Sequence, residues 1–325
     1  MKIAFFDLHD FEKKYYAQLE TLFEVKYFDF SLNQKTVDLI QGYDAACCFV
    51  NDDLSATVLQ RLAASGLRHI VLRSAGFNHV DLKVAKELNI KVLRVPAYSP
   101  NAVAEHAVAL LLCMNRKIHK SYYRMKDLNF SLDGLVGFDL KGKTIGIIGC
   151  GKIGKEFAKI MQGFSCNILA YDPFIDDSLK QILTYCDLDD LLERSDIISL
   201  HAPLNKETKH IINETAFNKM KQNVFIVNTS RGGLLDTRAL IRALKKQKIG
   251  GAALDVYEEE EAVFFANHSV EGLNDDVLAR LLTFPNVLIT SHQGFLTHEA
   301  LKNIADTTIN NLLAINQGHE LENQV

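Results

Sequence analysis

Gly149, Gly151 and Gly154 stand in the spacing G-x-G-x-x-G, directly after the β-branched run 144–148. That run reads as a buried strand, and Ile153, Phe157, Ile160 and Met161 continue it at helical spacing. In such a strand–turn–helix each glycine has a task. The first permits a tight turn, the second lets a pyrophosphate approach the backbone, and the third lets the helix lie close on its strand. The helix N-terminus adds free N–H groups and a positive dipole end. A second strand pattern at 167–171 ends in Asp172, eighteen residues past Gly154, where a carboxylate meets the hydroxyls of an adenosine ribose. Pro173 and Phe174 follow it, with no arginine to receive a 2′-phosphate. The chemistry implied is binding of NAD(H) rather than NADP(H). A glycine-rich turn alone also arises for structural reasons; the flanking strands and Asp172 make the dinucleotide reading specific.

Three further groups follow predicted strands: Arg231, the acidic run Glu258-Glu259-Glu260, and His292. Ligands of a doubly wound sheet bind at the carboxyl ends of its strands, so these side chains come to one rim. An arginine, a carboxylate and an imidazole beside a nicotinamide suit reduction of a 2-oxo acid. The guanidinium holds a carboxylate bidentately, the imidazolium gives a proton to the forming hydroxyl, and the acid keeps that imidazole charged. Each residue also has a structural explanation. Arg231 could make an ordinary ion pair, the glutamates could form a solvated turn, and Asp255 could merely cap its strand or could orient the cofactor or His292. His201, before Pro203, competes with His292 and reads as a hydrogen-bonding structural histidine.

The elements that must carry these groups alternate as β and α along most of the chain. Strands are predicted at 2–7, 24–28, 44–49, 69–72 and 91–95, and again at 197–201, 224–228, 251–255 and 287–290. Helices are predicted at 55–64, 81–88, 214–221, 236–247 and 297–317, with an amphipathic segment around 11–23. This alternation implies parallel, doubly wound sheets. The stretch 95–100, with prolines at both ends of Ala97-Tyr98-Ser99, reads as a linker. After it, 101–128 reads as one long helix with Asn101 as N-cap. Its middle, 107–114, is apolar nearly all round, which implies burial against the other domain or a second subunit.

At 325 residues the chain is long enough for two domains. With 48% hydrophobic and 23% charged residues it has a globular composition, and a net charge of −4 argues against a nucleic-acid partner. No apolar run is long enough to cross a membrane, and the first residues begin a strand without a signal-peptide pattern. The six cysteines show no metal or disulfide spacing, so a cytoplasmic location with reduced thiols is expected.

The segments RSAGFNHVDL (73–82), VPAYSPNAVAEHAV (95–108), GCGKIG (149–154), VNTSRGGLLDT (227–237), LDVYEEE (254–260) and SHQGFLT (291–297) together resemble the D-isomer-specific 2-hydroxyacid dehydrogenase family, in its lactate branch. The resemblance implies a Rossmann-type NAD-binding domain, residues 100–296, inserted in a flavodoxin-like substrate domain, residues 1–99 plus 297–325. It implies Arg231, Glu260 and His292 as catalytic residues, and selects Glu260 from its neighbours. Ala75 and Gly76 N–H groups, Tyr98 and Phe295 would meet the substrate. Some relatives carry tyrosine where Phe295 stands. Cofactor contacts carry over to Gly149, Gly151, Lys152, Ile153, Gly154, Asp172, Ala202, Pro203, Thr208, Thr229 and Asp255, with no metal. The insert 262–281 lengthens the Glu260–His292 link beyond that of relatives acting on glycerate. The implied reaction is reversible, NADH-dependent reduction of pyruvate to D-lactate. Rival readings are another small 2-oxo acid (glyoxylate, hydroxypyruvate or a branched-chain one) or an NADH-sensing corepressor-like protein. A homodimer or homotetramer with 101–128 in the contact is also implied.

Overall fold

The structure, a computed structural model, describes residues 1–260 and 263–325. Ala262, where the predicted insert begins, lies outside the described residues. The chain forms two compact units, one of Met1–Ser99 with Phe295–Val325 and one of Pro100–Gly294. The division therefore places Phe295 and Leu296 in the first unit, slightly earlier than the expected boundary after residue 296.

The first unit is built on β1 (Lys2–Phe5), β2 (Glu24–Tyr27), β3 (Ala45–Cys48), β4 (His69–Leu72) and β5 (Lys91–Leu93). All pairings are parallel, in the order β2-β1-β3-β4-β5. This is the flavodoxin-like order. Every residue of β3 is buried, as expected of a central strand covered on both faces. The predicted amphipathic segment around 11–23 resolves into a 3-10 turn and the single-turn helix α1 (Leu19–Leu22). Helices α2 (Ala56–Ala64) and α3 (Leu82–Glu87) cover one face, where Val58, Leu59, Leu62 and Ala85 join Ala46, Ile70 and Val92. On the other face Ala305, Ile309 and Leu312 of the closing helix His298–Gln317 pack with Ile3, Phe5 and Val71.

Immediately after β4, Arg73 is 1% exposed and forks onto Glu12, which is 3% exposed. Its Nε donates to Glu12 Oε2 at 3.1 Å and its Nη2 to Oε1 at 2.9 Å. The same guanidinium donates to the carbonyls of Phe6 and Asp7 and lies 4.3 Å from the centre of the Phe5 ring. Burial opposes the charge on Arg73, but the adjacent Glu12 carboxylate outweighs it and holds the guanidinium protonated.

The second unit opens with α4 (Pro100–Arg116) and α5 (Ile118–Lys126). The expected single helix 101–128 is thus two, because Lys117 adopts a left-handed φ of 52° and breaks the run. Asn101 is not an N-cap but lies in the first turn of a helix that starts at Pro100, a residue preorganised for that place. The apolar middle of α4 is buried within its own unit. Ala104, Ala107, Val108, Leu111 and Met114 pack with Ile145, Ile147, Phe157 and Met161. That corrects the expectation of burial against the other domain or a second subunit.

The sheet of this unit comprises β6 (Thr144–Ile148), β7 (Asn167–Tyr171), β8 (Thr184–Tyr185), β9 (Ile197–Leu200), β10 (Val224–Asn228), β11 (Ile249–Leu254) and β12 (Val287–Ile289). Between them run α6 (Lys152–Gly163), α7 (Leu188–Arg194), α8 (Glu214–Lys219), α9 (Thr237–Lys245) and α10 (Asp276–Leu282). The strands are parallel in the order β12-β11-β10-β9-β6-β7-β8. The order reverses between β6 and β9, and that switch point is where a doubly wound sheet opens its ligand crevice.

Candidate active site

The glycine turn sits at the switch point, and its three glycines meet three different constraints. Gly149 has φ 94°, and a Cβ there would lie 2.5 Å from Ala202 N. At Gly154 a Cβ would lie 2.0 Å from Gly149 O, so only glycine lets α6 rest on the end of β6. A Cβ on Gly151 would meet nothing within 4 Å. That open space leaves room for a pyrophosphate to come close to the backbone. Helix α6 begins at Lys152 and Ile153 with Gly151 at its cap and no side chain bonded there, leaving its first N–H groups available. Asp172, at the end of β7, is tied to this turn: Cys150 N donates to Oδ2 at 2.6 Å and Phe174 N to Oδ1 at 2.8 Å.

The ends of β9 and β10 complete the crevice. Ser230 Oγ donates to Ala202 O at 2.7 Å, and Thr208 Oγ1 donates to Pro203 O at 2.6 Å, closing the turn after His201. Thr229 is 5% exposed, and its Oγ1 has no partner among the described residues. A buried hydroxyl without a partner is costly in isolation and points to a ligand atom there. Together the open cradle at Gly151, the uncapped helix and the Thr229 hydroxyl fit a dinucleotide.

His292 and Glu260 come together. His292 Nδ1 lies 2.7 Å from Glu260 Oε1, while Glu260 Oε2 accepts from Tyr257 N at 2.8 Å. Glu258 does not compete for this place, because its Oε1 is 2.5 Å from His210 Nε2 and its Oε2 accepts from Thr237 N. His292 has a left-handed φ of 51°, and its N–H donates to Asp255 O at 2.7 Å. Asp255 is 1% exposed and accepts through its carboxylate from Gln293 N, Gly294 N, Thr290 Oγ1 and His106 Nε2. Burial opposes its ionisation, yet the bonds from His106, Thr290 and Gln293 prevail and hold its carboxyl below the usual range.

Arg231 stands one residue before Gly232, whose Cβ position is 2.1 Å from the Tyr257 backbone. The arginine's segment therefore abuts the turn that carries Glu260. Arg231 Nη1 donates to Ser230 O at 2.7 Å, and among the described residues no carboxylate lies within ion-pairing distance of it. A half-buried guanidinium in that situation is open to an anionic ligand. His201, the other candidate imidazole, is 8% exposed and hydrogen-bonds Ser199 Oγ at 2.8 Å. Burial pushes its pKa down to about 3, so it holds no spare proton near neutral pH.

Within the first unit, the rings of Tyr98, Phe11 and Phe49 lie 6.1–6.4 Å from that of Phe295. Ala75 and Gly76 follow Arg73 in the loop after β4. Sequence reasoning did not find His106, Thr290 or Tyr257 as supports of the site. His106 lies 149 residues from Asp255 and Thr290 lies 35 from it, so no local spacing signals either, while Tyr257 meets Glu260 through its backbone N–H, which no side-chain pattern announces.

A doubly wound sheet with a dinucleotide cradle at its switch point, and a histidine–carboxylate pair on the same rim, defines a nicotinamide-dependent oxidoreductase. The family model for the D-isomer specific 2-hydroxyacid dehydrogenase NAD binding domain matches residues 108–294. A 2-hydroxyacid dehydrogenase homolog of Haemophilus influenzae is 49% identical over 100% of this chain and 99% of its own. The D-lactate dehydrogenase of Escherichia coli is 48% identical, covering 100% of both chains, and its apo structure superposes with a TM-score of 0.90. A structure described as the pyruvate reductase of Chlamydomonas reinhardtii is 39% identical, covering 99% of this chain and 98% of its own, with a TM-score of 0.93. The chain belongs to the D-isomer-specific 2-hydroxyacid dehydrogenase family, and its cofactor is NAD. Among the described residues no helix is long and apolar enough to cross a membrane.

Proposed function

We propose that this enzyme reduces pyruvate to D-lactate with NADH, reversibly, and that Arg231, Glu260 and His292 act on the substrate. The observation that carries this reading is the 2.7 Å bond between His292 Nδ1 and Glu260 Oε1, with an arginine lacking a carboxylate partner on the segment that abuts the turn bearing Glu260. NADH, when bound, supplies the hydride. Arg231 holds the substrate carboxylate in its fork. With Nδ1 engaged by Glu260, His292 presents Nε2 to the carbonyl oxygen and delivers the proton that makes it a hydroxyl. Glu260 fixes the orientation of the ring through Nδ1. Asp172 would meet the adenosine ribose, the glycine turn with Lys152 and Ile153 the pyrophosphate, and Ala202, Pro203, Thr208, Thr229 and Asp255 the remainder of the cofactor.

In the first unit, Ala75 and Gly76 would add backbone donors to the carboxylate, and Tyr98 and Phe295 would face the substrate side chain. The ring of Phe295 sits among Phe11, Phe49 and Tyr98, an apolar surrounding suited to a methyl group. The names of the E. coli and C. reinhardtii relatives favour the same substrate. The test is NADH oxidation across pyruvate, glyoxylate, hydroxypyruvate and branched-chain 2-oxo acids, with chiral analysis of the pyruvate product. Highest kcat/KM for pyruvate and a D product are expected. Preference for another acid reassigns the substrate, and NADH binding without any turnover favours a sensing role.

We further infer a homodimer or homotetramer. The segment after α4 leaves Tyr123, Met125, Leu128, Phe130, Leu132 and Val136 more than half exposed, a concentration of apolar surface unusual for a monomer. A second copy of this chain is the expected cover. Placing glutamates at Leu132 and Val136 together should shift the sedimenting species toward the monomer mass. An unchanged mass would place the contact elsewhere.

A further inference from the structure

The loop after β4 has three consecutive carbonyls, and all are engaged from within the first unit. Ser74 O accepts from Val95 N at 3.0 Å, Ala75 O from Arg94 Nη1 at 3.0 Å, and Gly76 O from Ser74 Oγ at 2.7 Å. No peptide bond among the described residues is cis. In a trans peptide the N–H points opposite to the carbonyl of the same unit. Holding Ser74 O therefore turns the Ala75 N–H away from Val95, and holding Ala75 O turns the Gly76 N–H away from Arg94. Neither N–H has a protein partner among the described residues. Two unpaired N–H groups on successive residues are donors available to an anion.

Arg94 is itself fixed in place. Its N–H donates to Asn323 O at 3.1 Å, its carbonyl accepts from Asn311 Nδ2 at 3.1 Å, and its guanidinium lies 5.2 Å from the centre of the Phe77 ring. No carboxylate among the described residues pairs with it, and its Nη1 donates to the Ala75 carbonyl. A cationic donor on a peptide oxygen polarises that peptide and strengthens its N–H as a donor.

We propose that Arg94 is the positioning residue of the substrate-carboxylate cradle. It clamps and polarises the Ala75–Gly76 peptide, and so aims the Gly76 N–H, beside that of Ala75, at the carboxylate of the 2-oxo acid. The proposal rests on the functional reading above, which places that carboxylate against these two residues.

The experiment compares wild type with Arg94→Met, which keeps an aliphatic stem over Phe77, and Arg94→Lys, which keeps a cationic donor. The readouts are KM for pyruvate, kcat, the inhibition constant of oxamate (a non-reacting analogue with the same carboxylate) and NADH affinity by fluorescence. Arg94→Met should raise the pyruvate KM and the oxamate constant together by about tenfold, roughly one charge-assisted hydrogen bond, with NADH affinity changed less than about twofold. Arg94→Lys should recover most of the loss. A folded Arg94→Met with both constants within about twofold of wild type would overturn the proposal, as would a loss confined to NADH affinity. Should that variant not fold, Arg94→Gln makes the same comparison through a neutral donor. A rise of about threefold in both constants supports the role and no rise overturns it. Wild type that turns over no 2-oxo acid defeats the functional reading and this one with it; normal wild-type turnover with unaltered Arg94 variants defeats this one alone.

Discussion

His292→Gln is expected to lower kcat for 2-oxo acid reduction by roughly 10²–10⁴, the usual contribution of a positioned general acid. Glutamine keeps much of the volume and can still face Glu260, but it cannot release a proton to the forming hydroxyl. NADH affinity should hold within about twofold, because the role proposed for His292 is at the substrate oxygen rather than at the cofactor. Three features concentrate the expected loss in kcat. The imidazole is locked at Nδ1 by Glu260, and its backbone is held in a left-handed conformation through the Asp255 carbonyl. The other histidine at a strand end, His201, is buried and uncharged near neutrality. Steady-state kinetics with pyruvate decide the matter, and a variant with near-normal kcat would remove His292 from the role.

Glu12→Ala is expected to destabilise the first unit by about 3–5 kcal/mol, because it leaves a buried guanidinium without its counter-charge. Arg73 would keep its bonds to the Phe6 and Asp7 carbonyls but lose both donors of its fork. Surface ion pairs such as Lys2–Glu24, where both side chains are more than half exposed, are worth about 0–1 kcal/mol and offer the contrast. Removing both charges together is not expected to restore full stability, since the two carbonyls would then be buried without a donor. Urea denaturation of the full chain measures the loss. A change below about 1 kcal/mol would mean that water reaches Arg73 in the native state.

The parts of this molecule that could be read from the sequence are those whose cause is local. The glycine turn, the acidic residue closing the second strand and the alternation of strands and helices depend on neighbours within a few residues, and the structure has each of them. The αL break at Lys117 is different. Lysine carries no breaker signal, and the apolar pattern of α4 runs on toward Tyr122 and Tyr123. The acidic run shows the same limit. Glu258 and Glu260 are chemically alike, and only the folded chain brings His210 to one and His292 to the other. Asp255 was visible as a strand-end carboxylate. Its ties to His106, from a helix at the other end of the unit's sequence, were not.

The chain crosses from the first unit to the second after Ser99 and returns at Phe295. During synthesis the residues of the nucleotide-binding sheet therefore leave the ribosome as an uninterrupted block, able to collapse on itself as soon as β12 emerges. The amino-terminal sheet has to wait. Ile3, Phe5 and Val71 are covered by Ala305, Ile309 and Leu312, which are translated only after the whole of the second unit. Until then one side of that sheet is bare, so the sheet made before the nucleotide-binding one should be the later of the two to acquire protection from proteases.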